Sequence, residues 1–156
     1  LVVTNGCFDI LHVGHTTYLE AARNHGDVLL VGLNSDSSVR RLKGPARPIN
    51  PEGERAAVLA ALEAVDAVCI FDDLRATRFL ELTQPDIYVK GGDFKIDQLP
   101  SEERDVVARF GGKIVTLGHV PGKSTTATLG QLAELEGRLS SRQPPPVSPM
   151  RETQTS

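Results

Sequence analysis

Short apolar runs alternate along this chain with longer amphipathic stretches, the rhythm of strands feeding helices. Five runs read as strands: Leu1–Thr4, Val28–Leu33, Ala67–Phe71, Ile87–Lys90 and Ile114–Leu117. They are rich in Val, Ile and Leu, as strands covered on both faces are. The first helix is expected from about Gly14 to His25, with Leu19 and Ala22 inward and Gly26 as its C-cap. A second has Asn50 as N-cap and Pro51 as first residue, continuing through Arg55, Val58, Leu59 and Leu62. Ser101 caps a third, which Gly111-Gly112 stops after Phe110, and Ser124 caps a last one through Leu139. This order predicts an α/β fold: a doubly wound, parallel, five-stranded sheet with right-handed crossovers. Residues 140–156, opening Ser-Ser-Arg-Gln-Pro-Pro-Pro, cannot bury enough surface to offset ordering, so a domain over 1–139 and a disordered tail are expected. No internal repeat is evident.

Composition narrows the function. The 156 residues suffice for one domain, and 40% apolar with 24% charged residues describe a globular chain. A net charge of -3 argues against a general nucleic-acid binder. No apolar run is long enough to span a bilayer, and no signal peptide is expected, since Leu1 opens directly into a strand pattern. The missing initiator Met suggests a piece of a longer protein. Two cysteines make no disulfide framework, which fits a reducing, cytoplasmic setting. Cys7, near two histidines and a helix start, is expected to favour the thiolate, and Cys69, within an apolar strand, to be buried.

Four segments carry candidate chemistry. The first is Asn5-Gly6-Cys7-Phe8-Asp9-Ile10-Leu11-His12-Val13-Gly14-His15, at the handover from first strand to first helix. A helix start offers free N–H groups and a positive dipole end, which suits phosphate. Gly14 lets the backbone approach a ligand, and His12 and His15 can address one anion from two sides. Zinc is the weaker reading, since only two imidazoles are close and neither cysteine has metal-like spacing. The second segment, Gly122-Lys123-Ser124-Thr125-Thr126, could hold phosphate oxygens, although N-capping by Ser124 explains it equally well alone. Arg41-Leu42-Lys43-Gly44 with Arg47-Pro48 places cations in a loop between helices, ordinarily a solvated basic loop. In Lys90-Gly91-Gly92-Asp93 the glycines allow close approach and Asp93 could accept from a base or ribose, or the four residues form a tight turn. The first, second and fourth segments begin at predicted strand carboxyl ends, the edge where a parallel sheet gathers ligands.

Gly6 to His15 and Ser124 to Thr126 match the Gly-x-Phe-Asp-x-x-His-x-Gly-His motif and late Ser-Thr-Thr segment of the cytidylyltransferase-like nucleotidyltransferases, which the chain resembles over about 1–132. Asn34-Ser35-Asp36, Arg41–Gly44, Arg47-Pro48, Leu62–Asp66 and Val89–Asp93 resemble the branch that adenylylates D-glycero-β-D-manno-heptose 1-phosphate. That branch is one half of a bifunctional ADP-heptose synthase, whose kinase half is absent here. Glycerol-3-phosphate cytidylyltransferases commonly carry an Arg five residues before the Ser, where this chain has His119.

The resemblance implies a Rossmann-like fold and attack of a sugar phosphate on the α-phosphorus of ATP, releasing pyrophosphate. It assigns catalysis to His12, His15 and Lys43, the lysine closing over the phosphates from a mobile loop. It assigns nucleotide binding to Gly6, Cys7, Phe8, Gly14, Gly91, Asp93, Gly122, Ser124, Thr125 and Thr126, and acceptor binding to Asn5, Asp9, Arg41, Arg47 and Lys90. Asp9 is further read as bracing the histidine turn, and Mg²⁺ as held by nucleotide oxygens with no metal site of the protein's own. A separate or fused sugar kinase is the implied partner, with neither nucleic acid nor membrane, and a homodimer is left open. Two alternatives stand: a CTP-dependent alcohol-phosphate cytidylyltransferase, and a non-catalytic nucleotide-binding module.

Overall fold

Val2–Gly6 (β1) is the middle strand of a five-stranded parallel sheet in the computed structural model, which describes residues 1–92, 95–118, 130 and 133–135. Leu29–Asn34 (β2) and then Ala67–Phe71 (β3) lie on one side of it, and Ile87–Gly91 (β4) and then Lys113–Leu117 (β5) on the other, giving the order β3-β2-β1-β4-β5. Five helices connect them: Val13–Arg23 (α1), Asp36–Lys43 (α2), Glu52–Ala60 (α3), Thr77–Thr83 (α4) and Ser101–Arg109 (α5). The expected five-stranded parallel α/β sheet is therefore present. It lies in the first of two compact units, Leu1–Thr125 and Thr126–Ser156; the described residues of the second, Gly130 and Ala133–Leu135, are helical. Among the described residues no helix is long and apolar enough to cross a membrane.

The sheet is covered on both faces, which explains its unbroken apolar strands. Val2, Leu19, Ala22, Leu29, Leu59 and Val89 form one core, beneath α1 and α3. Val3, Phe79, Leu80, Tyr88, Val106 and Val107 form the other, beneath α4 and α5. Adjacent Val2 and Val3 point to opposite faces and are both fully buried.

Three local expectations are corrected. Arg41 and Lys43 stand on the last turn of α2, not in a loop. Ser35 caps this helix by accepting from the Ser38 N–H at 3.1 Å, Asp36 lies in its first turn, three cations occupy its last, and Gly44 ends it at φ +95°. Capping and dipole complementarity carry this short polar helix. Pro51 is the N-cap of α3 and not its first residue, because the Asn50 side chain donates instead to the Asp9 carbonyl at 2.9 Å. Likewise Pro100 precedes α5, and Ser101 is its first residue without a capping bond.

The strand order reverses between β1 and β4, the switch point at which parallel sheets open a crevice. β1 and β2 are in register over five residues, β1 and β4 only at Val2↔Ile87 and Val3↔Tyr88. Beyond that the Tyr18 hydroxyl bridges the two strands, 2.6 Å from Thr4 Oγ1 and donating to the Val89 carbonyl at 3.1 Å. Burial pushes its pKa up to about 12, so it stays a neutral donor. Tyr18→Phe should cost about 1–3 kcal/mol of unfolding free energy in a urea titration, by leaving the Val89 carbonyl unsatisfied. A loss below about 0.5 kcal/mol would show that the hydroxyl does not hold the strands.

Candidate active site

The turn leaving β1 is shaped by two residues. Phe8 lies in the left-handed region at φ +41°, a conformation that costs about 1–3 kcal/mol and persists only when packing enforces it. Its ring is buried in the α1-side core and folds over Gly6, where an added Cβ would lie 2.9 Å from Phe8 Cε2. Asp9 follows, 4% exposed. Its carboxylate accepts from Arg47 Nε at 2.6 Å and from the N–H groups of Ile49 and Asn50 at 2.8 and 3.0 Å. Burial alone would raise its pKa, but the Asn50 N–H, Arg47 and the Ile49 N–H outweigh it and hold the carboxyl below its usual range. Asp9 thus clamps the histidine turn to the 47–50 loop, and its oxygens are occupied by the protein's own donors.

His12 is the N-cap of α1. Its Nδ1 accepts from the Gly14 N–H at 3.1 Å, so the neutral ring carries its proton on Nε2. Its carbonyl accepts the His15 N–H at 2.8 Å. One turn later His15 stacks on it, ring centroids 3.9 Å apart and planes 27° apart. The Phe8 ring is tilted 60° to that of His15, with centroids 5.4 Å apart. Two imidazoles are thereby held side by side at the positive end of α1, at the carboxyl edge of the central strand. Such an arrangement presents N–H donors to an anion.

Three cations surround this turn. Burial raises the Cys7 thiol, while Lys43, Arg55 and Arg47, in that order, pull it down without overcoming it. The expected thiolate at Cys7 is therefore corrected: the apolar setting outweighs the nearby positive charge. Cys69, expected to be buried, is exposed. β3 is an edge strand, and on its Phe71 face that ring stacks on Phe79 while Ala67 and Cys69 stay uncovered.

Sequence reasoning treated Arg55 only as a helix residue. It is 2% exposed and donates to the carbonyls of Cys7 at 2.6 Å, Asn34 at 2.9 Å and Asn50 at 2.9 Å, and to Asp36 Oδ1 at 2.7 Å. An arginine on the apolar stripe of α3, between Asn50-Pro51 and Leu59, was the available signal.

The opposite face of the switch point carries a second polar group. Asn5 Oδ1 accepts from Lys90 Nζ at 3.0 Å. Glu103, 3% exposed, accepts from the Ala76 N–H at 3.1 Å. The Tyr88 hydroxyl lies 2.7 Å from Asn5 Oδ1 and 2.9 Å from Glu103 Oε2 and shares its one proton between them. Lys90 Nζ lies 3.9 Å from Glu103. Burial lowers the Lys90 pKa, Glu103 partly opposing. Asn5 and Lys90 were anticipated; Tyr88 and Glu103 were not, and a glutamate three residues before Val106 on the buried side of α5 was the only hint.

The structure gathers Gly6, Cys7, Phe8, Asp9, His12, Gly14, His15, Lys43 and Arg47 about the turn after β1, and Asn5 and Lys90 below it. Gly91 ends β4 against Tyr18, where a Cβ would lie 3.0 Å from the ring. Arg41 is directed elsewhere, its guanidinium donating to the Ser37 and Asp72 carbonyls. Asp93, Gly122, Ser124, Thr125 and Thr126 lie outside the described residues, as does 140–156. Among the described residues no group of three or more His, Cys, Asp or Glu is arranged to hold a metal ion.

A family profile described as cytidylyltransferase-like matches residues 3–128. The bifunctional protein HldE of Mesorhizobium japonicum is 54% identical over 129 residues, 83% of this chain and 26% of that protein. Its counterpart in Geotalea uraniireducens is 55% identical over 126 residues, 81% and 25% of the two chains. The chain spans about a quarter of the length of these relatives. The crystal structure of a lipopolysaccharide core biosynthesis protein from Thermoplasma volcanium superposes with a TM-score of 0.65 at 32% identity, covering 76% of this chain and 96% of that one.

Two measurements probe the site's electrostatics. At neutral pH, limiting iodoacetamide should modify Cys69 first and Cys7 slowly, Cys7 labelling rising only as pH climbs beyond the ordinary thiol range; peptide mapping that finds Cys7 first would contradict the burial of its thiol. Asp9→Ala should cost about 3–5 kcal/mol at pH 7, since it strands Arg47. Because the native pKa is depressed, Asp9's contribution is complete above about pH 4 and is lost as pH falls through the lower native value. Urea titrations should therefore show the gap between wild type and variant narrowing from pH 7 to pH 3.

Proposed function

The chain belongs to the cytidylyltransferase-like family, and on that footing we propose that it transfers AMP from ATP to a sugar 1-phosphate, D-glycero-β-D-manno-heptose 1-phosphate, giving ADP-heptose and pyrophosphate. The observation that carries this reading is the stacked His12–His15 pair at the N-terminus of α1, on the carboxyl edge of the central strand. The heptose acceptor is supported by the identity to the HldE proteins over most of this chain. The name of the Thermoplasma protein, lipopolysaccharide core biosynthesis, points toward a sugar as well.

In this reaction a phosphate oxygen of the sugar attacks the α-phosphorus. The bond from that phosphorus to the bridging oxygen breaks, and pyrophosphate leaves with the electron pair. The nucleophile is already anionic at pH 7, so no strong base is required. The barrier is charge: two anions meet, and negative charge grows on bridging and non-bridging oxygens. His12 and His15 serve as preorganised donors to the α- and β-phosphates, and the α1 dipole adds to them. Lys43, exposed at the end of α2, reaches the phosphates, with Arg47 behind it, held by Asp9. Ser124, Thr125 and Thr126 hold the far phosphates. Mg²⁺ would be held by nucleotide oxygens and would neutralise phosphate charge; Asp9 would not hold it, since its carboxylate is occupied by Arg47 and two N–H groups. The relatives are named bifunctional, and we read the part of them beyond this match as a sugar kinase that supplies the phosphorylated acceptor. A cytoplasmic setting, where ATP and reduced thiols coexist, fits both.

His15→Ala should fold with an unchanged thermal transition and lose about 10²–10³ in kcat, the usual cost of one preorganised donor. Near wild-type turnover would remove His15 from the reaction. Steady-state pyrophosphate release with ATP or CTP, each with heptose 1-phosphate or glycerol 3-phosphate, tests the substrates. ATP with heptose 1-phosphate should give the highest kcat/KM; a higher value for CTP with glycerol 3-phosphate would move the chain to the other branch. Absence of release with every pair would leave a nucleotide-binding module.

A further inference from the structure

β1 and β4 part at a defined residue. They pair at Val2↔Ile87 and Val3↔Tyr88, and the same register would next join Thr4 to Val89, Asn5 to Lys90 and Gly6 to Gly91. Those pairs are not made, although β1 stays with β2 as far as Gly6↔Leu33 and β4 with β5 as far as Gly91↔Leu117. The sheet therefore forks at its carboxyl edge into a β3-β2-β1 half and a β4-β5 half. One hydroxyl stands in the fork. Tyr18 Oη lies 2.6 Å from Thr4 Oγ1 and donates to the Val89 carbonyl at 3.1 Å, so it occupies the first pair that the strands leave unmade. The Gly91 N–H, two residues further along β4, also acts on it.

The place of Tyr18 on α1 carries this bond beyond the strands. His15, Tyr18, Leu19 and Ala22 follow the helical spacing i, i+3, i+4 and i+7, so they share one face of α1. Leu19 and Ala22 are fully buried and anchor that face in the core. Apolar burial sets the height of a helix over a sheet but fixes its rotation poorly, because it is non-directional. The Tyr18 hydroxyl supplies a directional bond, one turn after His15. Its ring presses on Gly91, where an added Cβ would lie 3.0 Å from Cε2 and 3.3 Å from Cδ2 and Cζ. A leucine in its place would fill the core equally well, but would leave the Val89 carbonyl and the Thr4 hydroxyl without this partner.

We propose that Tyr18 is a positioning residue for nucleotidyl transfer: its hydroxyl fixes the rotation of α1 and the gap between the two sheet halves, and so sets the His12–His15 pair against the end of β4. The inference rests on the nucleotidyltransferase reading and adds to it a residue outside the motif that carries that reading. In this role Tyr18 touches neither nucleotide nor acceptor, since its oxygen is committed to Thr4, Val89 and Gly91. Donors on α1 and backbone on β4 then meet one nucleotide from opposite sides of the fork. An error near 1 Å in such an arrangement costs about 10² in rate.

Pyrophosphate release from ATP with heptose 1-phosphate is measured for wild type, Tyr18→Phe, Thr4→Val, Thr4→Ser and Val107→Ala, each below its thermal transition. Val107 packs beside Gly112 at the amino edge of the sheet, so its truncation loosens the core away from the fork. Tyr18→Phe should lower kcat at least about tenfold and leave KM for ATP within about twofold. Thr4→Val should follow it in part, Thr4→Ser should keep turnover, and Val107→Ala should keep kcat. Thr4→Val added to Tyr18→Phe should cost nothing more, because the bond is already gone. Thr4→Val also decides the matter if Tyr18→Phe does not fold. Undiminished kcat in folded Tyr18→Phe would overturn the proposal. So would an equal fall in Val107→Ala, which would mean general loosening, or a change in KM alone, which would mean a ligand contact. Nitrogen NMR of histidine-labelled protein reads the positioning without turnover. The His12 and His15 ring signals should move in Tyr18→Phe and Thr4→Val and stay in Thr4→Ser and Val107→Ala; signals that stay in all four would overturn the proposal. Wild type that releases no pyrophosphate with any acceptor, while those signals move as expected, would refute the transfer reaction and leave Tyr18 as the residue that positions the imidazoles.

Discussion

One buried guanidinium holds the site's scaffold together. Arg55 reaches from α3 to the first turn residue after β1, to the last residue of β2, to the start of α2 and to the loop before its own helix. The turn after β1, the β2–α2 junction and the loop before α3 are thereby fixed to one rigid, planar group. Lysine could not replace it, since a single ammonium lacks the fork geometry that addresses carbonyls in several directions. Desolvating the charge costs several kcal/mol, and the cost is met only while every partner is in place. Folding of the turn after β1 and folding of the β2–α2 junction are consequently one event. The Asp9–Arg47 pair repeats this logic one layer out, tying the same turn to the 47–50 loop.

That constraint explains where strain can be kept. Phe8 occupies left-handed backbone that a bulky residue ordinarily avoids, and it does so between Cys7, held by Arg55, and Asp9, held by Arg47. With both neighbours fixed, the ring has one place to go, beneath Gly6 and against His15. The strained residue thus orients the second imidazole, and His12 orients itself through the Gly14 N–H. Each histidine is positioned by a residue of the same turn, which under the proposed reaction is the condition for donors that need no reorganisation when charge develops.

The strands were largely legible because burial on both faces leaves no polar alternation to confuse the reading. Ala67–Phe71 was placed to the residue, and the others within two residues at either end. Helix α2 was not legible: Val39 is its only buried large apolar residue, and its stability comes from a serine cap and end charges that periodicity does not register. The site divided in the same way. His12, Gly14 and His15 announce themselves because a short motif contains both the donors and the turn that aims them. Arg55, Tyr88 and Glu103 do not, because most of their partners lie between 15 and 83 residues away, and their role exists only once the sheet is assembled. Cys69 was misjudged because an apolar strand reads alike at the centre and the edge of a sheet, and only the strand order tells them apart.

Charge distribution completes the account. The chain carries a net charge of -3, yet Lys43, Arg55 and Arg47 all act on the single thiol of Cys7. The positive potential is therefore local, set in a turn on an otherwise acidic molecule. Two of the three cations are neutralised where they stand, Arg55 by Asp36 and Arg47 by Asp9, and serve chiefly to hold geometry. Lys43 is the exposed one, at the end of a helix whose glycine cap lets the chain turn sharply away. Under the proposed reaction Lys43, on its long stem, would add its charge when a polyanion is present, so its side-chain entropy would be lost on binding and not before.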